Sequence, residues 1–360
     1  MSQMLKKLSV VSLSILLLTG CGNNSTSGSN VATADATAAA ADYSNYKIAM
    51  VTDTIGTDQF ILQAWNELQN LSKQYGFQVT SVECSDVAAW TEKSRTVCDS
   101  GYNLLIGVGW EAAAPFSELA DEYMDVQFAV IDTVAENQRI KSINFNTVEG
   151  SYVLGVMAAT AFPNDKLFGY IGNYEQQSNY EYQYGYRSGV NSVLPDADLM
   201  VSYSNTYSDT SAVYDLAVQQ AAAGCTFIMG SVSNSANAGI YQYALERAKN
   251  GDTPIYTSGL SVDQTSSDNP YIIFGLTKNT SIPVDEIIKD YIDDGTVTGG
   301  KETLSVKENA FCVVGVSFDS NYRNTDVVTD AVIAAGKQAA QDIADGKVVL
   351  EVPTMGEAKK

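Results

Sequence analysis

The sequence predicts a two-domain α/β protein built on parallel sheets. Short aliphatic runs alternate with amphipathic helical patterns, and that order of elements recurs in the second half of the chain. With 360 residues, 45% of them apolar, the chain is also long enough for more than one core.

The first series opens at Tyr46–Val51, an apolar run ending in Thr52-Asp53. A helical pattern over Phe60–Tyr75 carries Ile61, Ala64, Trp65, Leu68 and Leu71 at three- and four-residue spacings, and Gly76 ends it. Strands are predicted at Phe77–Val82, Leu104–Val108, Gln127–Ile131 and Ile140–Phe145, with helices at Ala88–Ser100, Glu111–Tyr123 and Glu149–Thr160. The second series places strands at Lys166–Ile171, Leu199–Ser204, Phe227–Met229, Ile255–Thr257 and Ile272–Leu276. Helices at Ala212–Ala223 and Ala238–Asn250 separate them. Alternation of this kind implies right-handed βαβ units with helices on both sheet faces.

In open parallel sheets the carboxyl ends of the strands share one edge, and ligands sit in the crevice there. The residues so placed are Asp53, Gly109, Trp110, Asp132, Gly172, Tyr207, Gly230, Gly259 and Lys278. Phe60, Trp110 and Tyr207 offer ring faces, Asp53 and Asp132 accept hydrogen bonds, and Lys278 can donate to hydroxyls. By pattern alone Phe60 and Trp110 also fit core positions, and Asp53 and Asp132 also fit helix caps.

Before the first series, Lys6 and Lys7 precede an apolar stretch, Leu8–Leu18, and then Leu18-Thr19-Gly20-Cys21. A basic start, a short apolar core and small residues before a cysteine read as a bacterial lipoprotein signal over residues 1–21. Cleavage leaves Cys21 first, and acylation there anchors a soluble domain to the outer face of the cell membrane. Residues 22–45, rich in Asn, Ser, Thr, Gly and Ala, read as a flexible tether.

The formal charge of −21 argues against nucleic acid, because the chain would repel phosphate. Four cysteines beyond Cys21 (Cys84, Cys98, Cys225 and Cys312) show no disulfide or zinc spacing and read as small buried residues. The absence of histidine removes the commonest general base and metal ligand. With no nucleophile elbow and no phosphate loop, neither an enzyme, a cofactor nor a metal is expected.

Several stretches resemble the basic membrane protein family of lipoproteins. Lys47–Asp53 followed by Phe60 and Trp65, then Leu105–Trp110 and Phe128–Asp132, carry the likeness in the first half. Glu149–Val156, Lys166–Gly172 and Tyr184–Val190 continue it, so that it spans most of residues 46–316. The resemblance implies a type I periplasmic-binding-protein fold of two Rossmann-like lobes joined by a hinge. It also implies a substrate-binding component of an ABC importer that takes a purine nucleoside from the cleft and presents it to a membrane permease. Lobes are expected at 46–163 plus 281–308 and at 166–278 plus 309–360. Hinges are expected near Phe162–Lys166, Lys278–Pro283 and Lys307–Ala310.

Carried across, the resemblance makes Phe60 and Tyr207 the two rings that clamp the base. Asp53 and Asp132 become the first-lobe carboxylates, and Lys278 the lysine near the return crossing. Trp110, Asn234, Ser261 and Asp263 complete the implied ligand-binding set. Ser261 stands where the family has a ribose-holding aspartate, and Ser233–Gly239 where it has a glycine-rich turn. A sugar-binding or a sensory lipoprotein of the same fold is the alternative reading.

Overall fold

The computed structural model describes residues 42–355 except 57, 85, 87, 266–267 and 318–323. The expected signal segment with Cys21, and the tether as far as residue 41, lie outside the described residues. No helix among the described residues is long and apolar enough to cross a membrane.

The first series runs β1 (Lys47–Thr52), α1 (Gln59–Tyr75), β2 (Gln78–Glu83), α2 (Ala88–Asp99), β3 (Leu104–Val108), a 3₁₀ turn Trp110–Ala112, α3 (Ala113–Glu122), β4 (Gln127–Ile131) and β5 (Lys141–Phe145). After α4 (Thr147–Ala161) come β6 (Leu167–Gly172), α5 (Gln177–Val193), β7 (Asp198–Tyr203), α6 (Thr210–Ala222), β8 (Phe227–Ser231), α7 (Ala238–Lys249), β9 (Tyr256–Ser261) and β10 (Ile272–Lys278). The chain finishes with α8 (Ser281–Asp294), β11 (Gly300–Leu304), β12 (Phe311–Val313) and α9 (Asp330–Ala344).

Two six-stranded sheets result, ordered β11-β5-β4-β3-β1-β2 and β12-β10-β9-β8-β6-β7. The first is parallel throughout, and the second is parallel apart from β12, which runs against β10. Strands such as β3 and β8 are buried at every position, as sheets covered on both faces require. Local signals agree with these elements. The Asp58 carboxylate caps α1 by accepting from Phe60 N, and Gly76, at φ 87°, closes the helix in the left-handed region.

The chain passes between the sheets three times, at residues 146, 279–280 and 305–310. The first crossing falls earlier than the expected Phe162–Lys166. Helix α4 packs against α5, α9, β10 and β12, and so belongs with the second sheet. It is apolar nearly all round and buried at eleven of its fifteen positions, as a helix enclosed by others must be. Its closest neighbour is α5, where a Cβ on Gly189 would lie 2.1 Å from the carbonyl oxygen of Tyr152, and one on Gly185 2.2 Å from that of Val148. Only glycine admits that approach. Two of the stretches that carry the family resemblance, Glu149–Val156 and Tyr184–Val190, are therefore two sides of one helix contact.

On β5, Lys141 is buried and held by Glu286 (3.1 Å), Asp290 (2.8 Å) and Glu302 (3.3 Å). These partners come from α8 and β11, which fixes both late elements to the first sheet. The four cysteines are buried and free. Burial pushes the thiols of Cys98 and Cys312 up to about 11 and that of Cys225 to about 12, so none is a ready nucleophile.

Candidate functional site

The carboxyl edges of the two sheets meet through Asp132 and Lys278. Asp132 follows β4 with φ 67°, a left-handed conformation that aspartate tolerates better than most side chains. Its N–H still donates to Ile143 O (2.8 Å), so the turn keeps the sheet ladder while redirecting the carboxylate. Lys278 ends β10, and its Nζ donates to both Oδ1 and Oδ2 of Asp132 at 2.7 Å.

Aromatic groups enclose this pair. Lys278 Nζ stands 5.6 Å from the ring centre of Phe145 and 5.9 Å from that of Phe60, distances at which a ring quadrupole attracts a cation. Tyr182, from α5, lies close enough to the same ammonium to act on it electrostatically and sits edge-on to Phe311 at 6.1 Å. Phe311 is the ladder partner of Lys278. Burial alone would lower the lysine, but the charge of Asp132, the nearby Tyr182 and the bonds to Asp132 outweigh it and hold the ammonium above the usual range. Phe60 is placed from two sides: its N–H is capped by Asp58, and its carbonyl accepts from Thr280 Oγ1 (2.6 Å) in the second crossing.

Beside this centre, Glu111 lies close enough to Asp53 and Asp132 for their charges to act on it. Burial first, and then those two carboxylates, raise its pKa. Its carboxylate folds over Gly109, whose φ of 115° lies in the region that favours glycine. Asp53 is exposed and accepts from Thr54 N (2.7 Å). Trp110, next to Glu111, is 68% exposed.

The second sheet presents a different surface. Tyr207, in the loop after β7, is 53% exposed, and its carbonyl accepts from Ser233 Oγ (2.6 Å). Asn234, in the turn after β8, has a buried Oδ1 with no hydrogen-bond partner among the described residues. Ser261 ends β9 at φ 63°. Asp263 turns back on its own loop, accepting from Thr265 N (2.9 Å) and Oγ1 (2.6 Å).

Asp132, Lys278 and Phe60 are thus brought into one cluster, with Asp53 within electrostatic range of Glu111 at its side. Tyr207, Asn234, Ser261 and Asp263 line the strand ends of the second sheet without joining that cluster. Phe145, Tyr182, Glu111 and Phe311 were not foreseen. Phe145 could have been, since it too ends a parallel strand. Tyr182 could not, because it reaches the site from the middle of a helix.

Two sheets of like strand order, crossed three times and touching through polar groups at their carboxyl edges, define a type I periplasmic-binding-protein fold. A solute-binding protein of an ABC transporter system from Aeropyrum pernix K1 has the same architecture, with TM-score 0.67 and 18% identity over 86% of this chain and 94% of that one. The profile of the Bmp family, described as ABC transporter substrate-binding protein PnrA-like, matches residues 46–348, and the chain belongs to that family.

Among its relatives is the ABC transporter nucleoside-binding protein BmpA of Lactococcus lactis subsp. cremoris, 24% identical over 94% of this chain and 95% of the relative. A CD4+ T-cell-stimulating antigen of Listeria innocua is 25% identical over 95% and 96%. The family is one of binding proteins and not of enzymes, and it implies a small-molecule ligand and a permease partner.

Proposed function

We propose that this protein binds a purine nucleoside between its lobes and delivers it unaltered to an ABC permease. The observation that carries the reading is the Asp132–Lys278 pair, roofed by Phe60 and Phe145 where the two sheets meet. A carboxylate and an ammonium held side by side offer an acceptor and a donor to base nitrogens and sugar hydroxyls, while the rings suit a flat face. Asp53 and Glu111 extend the acceptors, and Tyr207 supplies a ring from the opposite sheet. Ligand held by both edges would draw the lobes together by rotation at the crossings, which gives the permease a state to recognise. The lipoprotein signal ending at Cys21 supports a membrane-anchored, extracytoplasmic location.

Thermal unfolding against guanosine, inosine and adenosine, with ribose and arabinose alongside, tests the reading. A bound nucleoside adds about 2.7 kcal/mol of stability at a hundred times its Kd. A response to the sugars without one to any nucleoside would replace this reading with sugar binding. Appearance of free base on incubation would make the protein an enzyme.

A further inference from the structure

Six large apolar side chains are exposed among the described residues, and three of them are aromatic: Trp110, Tyr174 and Tyr207. All three stand on loops leaving the carboxyl ends of parallel strands, Trp110 after β3, Tyr174 after β6 and Tyr207 after β7. Tyr174 has no part in the function proposed above.

Tyr174 and Tyr207 form a corner. Their ring centres are 5.0 Å apart and their planes are tilted by 54°. Despite their exposure, both are held in place. The N–H of Tyr174 donates to Asn173 Oδ1 (2.6 Å), and its carbonyl accepts from Asn179 Nδ2 (3.0 Å). Gln176 Nε2 reaches the Tyr207 hydroxyl (3.4 Å), and Asn205 N donates to the carbonyl of Asn173 (2.7 Å), which ties the two loops together. Two anchored rings that stay open to water on a strongly acidic protein make an exposed aromatic surface.

Resting on the nucleoside reading, we infer that Tyr174 is a second aromatic wall of the site and sets a preference for a two-ring base over a one-ring base. A base stacked on Tyr207 has the Tyr174 ring rising at its edge. A single six-membered ring covers Tyr207 alone, whereas a fused bicycle reaches across the corner and meets both rings. Edge-to-face contact is the arrangement aromatic quadrupoles favour.

Titration calorimetry of inosine and uridine against the full chain tests this. Tyr174→Ala should weaken inosine about 2- to 13-fold, the equivalent of one aromatic contact. Uridine should change by less than about 2-fold, and Tyr174→Phe should restore wild-type inosine affinity. Because Tyr174 is exposed, the ligand-free variant should melt like the wild type. The inference is overturned if inosine affinity is unchanged in Tyr174→Ala, if uridine weakens by the same factor, or if Tyr174→Phe binds as poorly as Tyr174→Ala. Wild-type protein that binds no purine nucleoside would overturn the underlying reading as well, so the two failures are distinct.

Discussion

Asp132 and Ser261 occupy matching places in the two halves of the molecule. β4 and β9 are each third in their sheet's order, and Asp132, just after β4, and Ser261, at the end of β9, both take the left-handed conformation, at φ 67° and 63°. The shared backbone belongs to the fold, since it turns the chain sharply at the crevice edge in both lobes. The chemistry does not. Asp132 carries a charge neutralised by Lys278, whereas Ser261 carries a hydroxyl. Asp132 thus enters the crevice as half of an ion pair that ties the first sheet to Lys278 of the second, whereas Ser261 stands among hydroxyl groups and open rings outside that pair.

Making the two positions alike is the strongest way to break this contrast. Asp132→Ser leaves the buried ammonium of Lys278 without its counter-charge and should destabilise the protein by about 3 kcal/mol, the lower end expected for a broken buried pair because Asp132 keeps 21% side-chain exposure. Urea unfolding measures it, and a loss below about 1 kcal/mol would show that the pair does not hold the two sheet edges together. Adding Lys278→Met to that variant should restore most of the loss, since no unpaired charge then remains. The pair's stabilisation should also depend on alkaline pH. The raised lysine contributes fully below its unfolded value of about 10.4, and that contribution fades as pH climbs through the higher folded value.

On the other side, Ser261→Gly should leave stability unchanged or raise it by up to about 1 kcal/mol, because glycine adopts the left-handed conformation freely. Clear destabilisation would mean that the hydroxyl holds the loop.

The smallest effect is expected at Glu111. Its raised pKa means that the folded protein holds the proton more tightly than the unfolded chain does. Stability therefore falls as pH rises from about 4.3 through the folded value, and stays reduced above it. Glu111→Gln removes that penalty and should stabilise the protein at neutral pH by less than about 1 kcal/mol, with the advantage vanishing in acid. An advantage that persists at low pH would show that charge is not its cause.

Much of the scaffold was legible in sequence because strand and helix periods are local. Asp132 and Lys278 were legible for a related reason: each stands at the carboxyl end of a parallel strand, which topology assigns to the crevice. Phe145 stands there too, but its apolar side chain reads as the last residue of a core strand until Lys278 is seen beside it. Tyr182 reaches the site from the middle of α5, where no strand-end rule points. The first crossing was misplaced for a similar reason. An almost wholly apolar helix such as α4 carries no polar face to show which sheet it serves, and its packing against α5, α9, β10 and β12 decides it.

The contribution of β11 to the first sheet has a consequence for biogenesis. Residues 300–304 are made long after β5, which they complete, and the carboxylates that neutralise Lys141 also arrive late, from 286 onward. A nascent chain halted before them has a bare strand edge and a lysine without counter-ions, so its amino-terminal half cannot mature first as an independent unit. Synthesis must pass residue 304 before the first sheet, and residue 313 before the second, has all six of its strands.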